Sequence, residues 1–152
     1  MMDLQNNKNI YGIAYAFRSA IQKAVREGAI REMQSFPCGC CRYASDLLQR
    51  YLFEQGIPTW SVSGRYGYGW EAESHAWLEN EEGIVIDITG DQYKFKKLKF
   101  SEPVYVGVRS DGFHDKFILD EPLAYSINDD PFGQNETFDR RYEAVLQHMN
   151  NV

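Results

Sequence analysis

No stretch of this 152-residue chain approaches the roughly 20 apolar residues that a membrane-spanning helix needs. The opening MMDLQNNKNI is polar where a secretory leader would carry an apolar core. Cysteine is scarce: the chain has three, an odd number, crowded into positions 38–41. That arrangement is a poor disulfide framework for a small secreted fold, so a reducing, cytoplasmic setting is expected. Positive charge is not in excess either. Sixteen Lys and Arg against 22 Asp and Glu leave a formal charge of −6, which argues against a general nucleic-acid or anionic-membrane binder. No internal repeat, low-complexity tract or linker divides the chain, so residues 1–152 are expected to form a single domain.

What is present favours a well-packed core, with 43% hydrophobic and 14% aromatic residues. Ile13, Ala16, Phe17, Ala20, Ile21, Ala24 and Val25 recur at three- and four-residue spacing, which predicts an amphipathic helix ending near Gly28. A second helix is predicted from about Cys41 to Gln55, with Ala44, Leu47, Leu48 and Tyr51 on one side and Gly56 as its stop. The period then changes. TWSVSG, SHAWLE, IVIDIT and PVYVGV are short, branched or aromatic, and read as strands. KFKKLKF (Lys94–Phe100) alternates lysine with apolar residues and reads as an edge strand guarded by charge. SINDDPFGQNET reads as a loop, followed by a helix from about Phe138 with Tyr142, Val145, Leu146 and Met149 on its apolar stripe. Helices first, then strands with short connections, describe an α+β domain with a mainly antiparallel sheet.

Two stretches carry chemistry. In SFPCGCCRYASDLL, Cys40 and Cys41 fall where the second helix begins, and a helix N-terminus lowers a thiol pKa. In SHAWLENEEGIVIDIT, the polar NEEG between two strand-like runs predicts a hairpin. Pairing Glu79 with Gly83 sets Leu78 opposite Ile84, Trp77 opposite Val85 and His75 opposite Asp87, on one face and with Cβ atoms about 5 Å apart. A slip of one residue would send Asp87 to the other face. If the cysteine helix packs on the face that carries His75, a thiol, a base and an orienting carboxylate come together.

These residues resemble the transglutaminase-like branch of the papain-like cysteine hydrolases. That family's pattern is a Gly-x-Cys opening a helix, a Gly-Ile-Pro after it, a His-Ala-Trp strand, and an Asp-x-Thr ending the next strand. Here the matching residues are Gly39-Cys40-Cys41, Gly56-Ile57-Pro58, His75-Ala76-Trp77 and Asp87-Ile88-Thr89. Members place the cysteine fifteen residues before that glycine, and counting back from Gly56 selects Cys41 over Cys38 and Cys40. The match runs from about Phe36 to Gln92, roughly a third of the chain. Many members follow Gly-Ile-Pro with Ala-Arg where this chain has Thr59-Trp60, a change in the wall of the site.

The resemblance implies a papain-like fold and a catalytic triad of Cys41, His75 and Asp87. It implies a thiol hydrolase that cleaves an amide or peptide bond through a thioester, acting on a peptide, protein or small amide. The same family contains acyl-transferring cross-linkers and members that have lost activity, so acyl transfer to an amine and a partner-binding module are the alternatives. Papain-like enzymes often take an oxyanion donor from a glutamine upstream of the cysteine, which makes Gln34 a candidate; Trp77 and Gln92 are candidates for positioning substrate. No cofactor is expected.

Other features have competing readings. Tyr66, Tyr68 and Trp70 among glycines just before the His strand read either as core cover or as an aromatic wall gripping substrate. Asp91 reads as a brace or a substrate contact. A metal site would draw on Cys38, Cys40 and Cys41 with His75, His114 or His148, but structural zinc usually takes two separated ligand pairs and no second pair exists. Cys38 or Cys40 trapping an oxidised Cys41 would make a redox switch.

Overall fold

The computed structural model describes residues 4–126 and 136–149. Helix α1 (Leu4–Arg26) buries Ile10, Ala14, Phe17, Ile21 and Ala24 along one stripe, and Lys23 and Arg26 occupy its last turn, where the helix dipole favours cations. Helix α2 (Cys41–Glu54) buries Ala44, Leu47, Leu48 and Leu52. Helix α3 (Glu136–Met149) buries Phe138, Tyr142 and Val145. The three expected apolar stripes are therefore the buried faces. Most of SINDDPFGQNET, residues 127–135, lies outside the described residues.

Five strands form one antiparallel sheet: β1 (Thr59–Tyr66), β2 (Glu73–Asn80), β3 (Val85–Asp87), β4 (Tyr105–Gly107) and β5 (Ile118–Ser126), in spatial order β4-β3-β2-β1-β5. The α+β class with an antiparallel sheet is thus as expected. Each face has its own cover. Leu78, Ile86, Ile88 and Val104 pack against α1, α2 and α3. Trp77, Val85, Val62 and Tyr105 pack against Tyr93, Phe113 and Phe117, which come from the short turns and loops between β3 and β5. The second layer is thus built by aromatic side chains from irregular segments, not by a helix or a second sheet.

Three features differ from expectation. KFKKLKF forms successive turns: Lys96 N donates to Tyr93 O and Lys99 N to Lys96 O, both at 3.0 Å. Leu98 and Phe100 reach the aromatic layer while Phe95 stays exposed, so the alternation had no strand behind it. Strand β5 was not foreseen. Its sequence ILDEPLAYS mixes acids with Pro122, yet it pairs with β1 as an edge strand, the position where proline is tolerated. The third difference is the hairpin register. Asn80 N donates to Ile84 O at 3.0 Å, and Gly83 takes φ of +77°, the left-handed residue that a three-residue hairpin loop requires. Leu78 therefore faces Ile86, and Trp77, not His75, stands opposite Asp87.

Candidate active site

The chain enters α2 through Gly39, whose φ of +68° favours a residue without Cβ, and Cys41 is the first residue of the helix. The carbonyl of Cys40 accepts from Ala44 N at 2.9 Å, so the first-turn amides have no helical acceptor and give this end a partial positive charge. The three thiols have three environments. Cys38 is exposed, Cys40 is buried among the helices, and Cys41 is half-buried. Burial pushes the Cys40 thiol up, a push that its hydrogen bond with Ser35 does not cancel. Burial would also raise Cys41, but the hydrogen bond and charge of His75 and a contact with the Ala76 backbone outweigh it and hold the thiol below its ordinary range. Of the three, Cys41 is the thiol poised to ionise.

His75 Nε2 donates to Asp87 Oδ2 at 2.7 Å, with both side chains buried. The contact survives the shifted register for a geometric reason: the shift is by two, which preserves the face, so Asp87 becomes the diagonal neighbour of His75. The condition that α2 share the face of His75 is not met. The helix packs on the face of Leu78, whereas His75 lies on the other face among Trp77, Tyr93, Phe113 and Phe117. Thiol and imidazole meet where the N-terminus of α2 reaches the start of β2, and not across a shared face. With Nε2 committed to Asp87, the thiol's hydrogen bond with His75 falls to Nδ1, the nitrogen that Gln92 Nε2 also approaches at 3.1 Å. Burial opposes protonation of His75, but the charge and hydrogen bond of Asp87, with Cys41 beside it, raise its pKa to about 9. Burial would likewise raise Asp87; the two histidines that face it hold it well below the usual carboxylate range.

The second histidine is His114. Its Nε2 donates to the same Asp87 Oδ2 at 2.7 Å, and Thr89 N donates to Oδ1 at 2.9 Å. Sequence reasoning weighed His114 only as a metal ligand and missed this contact. Nothing in the spacing ties position 114 to position 87; the only local signal was a histidine set between Phe113 and Phe117. His75, Asp87 and His114 are the only group among the described residues with potential ligand atoms within 4.8 Å of one another. Their 2.7 Å separations are hydrogen bonds; donors about 2.0–2.2 Å from a tetrahedral zinc would stand roughly 3.3 Å apart. Among the described residues Cys38, Cys40 and Cys41 form no such ligand group with a histidine within 4.8 Å, and His148 pairs with Glu27 at 3.0 Å.

Of the three candidate positioning residues, Gln92 alone reaches the chemistry: its Nε2 lies 3.1 Å from His75 Nδ1 and donates to Thr89 O at 3.1 Å. Gln34 is corrected, because it sends its amide to Val25 O at the end of α1. Trp77 is corrected too. It is fully buried, its indole N–H donates to Glu79, and it packs against His75 and His114 as scaffold. Asp91 is a brace: it takes a two-pronged ion pair from buried Arg18, which also donates to the carbonyls of Ile88 and Pro103. Arg18→Leu strands Asp91 and two carbonyls beside the Asp87 turn; we expect a loss of about 3 kcal/mol in urea unfolding, larger than for Asp91→Asn. Tyr68 and Trp70, both over 90% exposed, do not cover core. Their loop approaches the Phe95 turn through Lys96–Glu73 at 3.4 Å and Tyr93 OH to Ser74 O at 2.9 Å, one residue from His75.

Comparison with family models, with curated proteins and with solved structures finds no match. The functional reading therefore stands on the site itself. Among the described residues no helix is long and apolar enough to cross a membrane.

Proposed function

We propose that this chain is a cysteine-dependent hydrolase of amide or peptide bonds, a transglutaminase-like member of the papain-like cysteine hydrolases. The observation that carries the reading is one unbroken chain of contacts: a thiol at a helix N-terminus against His75, and His75 Nε2 against a buried carboxylate at 2.7 Å. A thiol, a base and an orienting acid in that order are what nucleophilic catalysis by a thiolate uses, and this supports the reading.

The proton of Cys41 passes to His75 Nδ1, and the sulfur attacks the carbonyl carbon. The carbonyl π electrons move to oxygen, next to the first-turn amides of α2, which are oriented to stabilise the developing charge. Collapse of this intermediate expels the amine, which takes the proton from Nδ1, and leaves a thioester on Cys41. His75 then draws a proton from water as it attacks; the acid departs and the thiol is restored. Asp87 keeps the Nε2–H tautomer throughout and is not itself protonated. Tyr68 and Trp70, exposed in the segment that leads into the His75 strand, favour a substrate with extended contact area, such as a peptide or protein.

The test is acylation of the protein by a panel of aryl esters and peptide thioesters, followed by intact mass. One acyl group on Cys41, absent from Cys41→Ala and released by water, is the expected result. Release only when an amine is supplied would identify acyl transfer. No acylation across the panel counts against an enzyme. Turnover should rise with ionisation of Cys41, below the ordinary thiol range, and fall as His75 loses its proton near pH 9.

A further inference from the structure

His114 is fully buried, and its ring is enclosed by Phe113 (centroids 4.2 Å), Tyr105 (5.4 Å) and the edge of Trp77 (4.9 Å). Its Nδ1 has no hydrogen-bond partner, and an added Cβ on Gly112 would lie 2.9 Å from that atom, so backbone closes over it. An apolar ring would fill this aromatic slot without leaving a buried nitrogen unsatisfied. Packing therefore does not explain a histidine here, whereas its other nitrogen makes one strong contact. Asp87 is a carboxylate and can only accept, so both Nε2 atoms donate to one oxygen, Oδ2. Thr89 N already pins Oδ1. The carboxylate is thus oriented without His114, and what the second imidazole changes is the charge that Oδ2 presents to His75.

We propose that His114 is a positioning residue that divides the charge of Asp87 between two imidazoles and so sets how tightly His75 holds its proton. This role rests on the triad reading for its purpose, but the coupling itself does not. An imidazolium held too firmly gives up its proton slowly to a departing amine, so sharing the carboxylate keeps His75 usable as an acid as well as a base. The groups that face His75 are Asp87, Cys41, Gln92, Tyr93 and His114 itself (centroids 6.1 Å); those that face His114 are Asp87, His75, Tyr105 and the aromatic rings, with the Glu79–Arg109 pair beyond Trp77.

The test follows the imidazole nitrogens of His75 by NMR across pH in ¹⁵N-histidine protein, which holds three histidines in all. The variants are His114→Phe, which removes the donor and keeps the ring, and His114→Gln, whose amide nitrogen occupies the position of Nε2. In His114→Phe, His75 should hold its proton about tenfold more tightly. The Gln variant should return it to the wild-type titration. A titration that is unmoved or moved to lower pH in the Phe variant overturns the proposal, as does a Gln variant that behaves like Phe. So would stoichiometric zinc in the purified protein that is lost with His114→Phe. If the Phe variant does not fold, His114→Leu makes the same comparison. Iodoacetamide labelling of Cys41 in the same samples separates the two claims: labelling independent of His75 sinks the catalytic reading, while the His75 titration still decides the role of His114.

Discussion

At pH 6, iodoacetamide should label Cys41 ahead of exposed Cys38, leave Cys40 untouched, and lose about a hundredfold in rate at Cys41 in His75→Ala. An unperturbed thiol is only about 0.3% ionised at that pH, which sets the size of the drop once the imidazole is gone. Cys38 serves as the internal control, since it shares the chain and the solvent but lies exposed and outside the His75 contact. Cys40 should stay silent because it is buried and its thiol is pushed up. Peptide mapping by mass spectrometry reads all three sites in one sample. Equal, slow labelling of the cysteines, indifferent to His75, would remove the nucleophile and with it the proposed hydrolase.

Asp87→Asn should cut turnover by something on the order of 10²–10⁴-fold, the range that loss of an orienting carboxylate produces in acyl-transfer triads. It should also cost stability, for a reason specific to this site. Three N–H groups converge on the carboxylate: His75 and His114 on Oδ2, Thr89 on Oδ1. An asparagine that points its NH₂ at Thr89 N sets donor against donor. One that points it at the histidines forces both into the Nδ1–H tautomer, which is the wrong one for catalysis and buries an N–H of His114 without an acceptor. Either costs about 1–3 kcal/mol. The pH dependence of thermal stability gives a second reading. His75 has a folded pKa raised from 6.5 to about 9, so its contribution is complete below 6.5 and is lost as pH rises through about 9. Asp87→Asn should flatten that alkaline loss. An Asn variant that keeps both full activity and the alkaline transition would mean that Asp87 does not hold the proton on His75.

The sequence by itself determined the three helices and four of the five strands, and a hairpin loop taken as odd in length gave the shared face of His75 and Asp87. Apolar spacing placed α1, α2 and α3, and Gly39 and Gly56 marked the ends of the cysteine helix. Pairing Glu79 with Gly83 across an odd loop put His75 and Asp87 on one face, and that survived a register wrong by two, because a shift of two changes the partner and keeps the face. Proximity of the thiol to the imidazole was legible only as a conditional, and its stated condition, a shared face, proved to be the wrong one. Strand β5 was hidden by Pro122 and its acids, which an edge position tolerates. The resemblance had singled out Cys41 by its distance from Gly56, and packing gives the physical difference: Cys40 is buried among the helices while Cys41 is half-buried. The tertiary structure alone brought His114 to Asp87 across 27 positions and Arg18 to Asp91 across 73. Such pairs leave no periodic trace, because they depend on how separate elements stack and not on the repeat of any one of them.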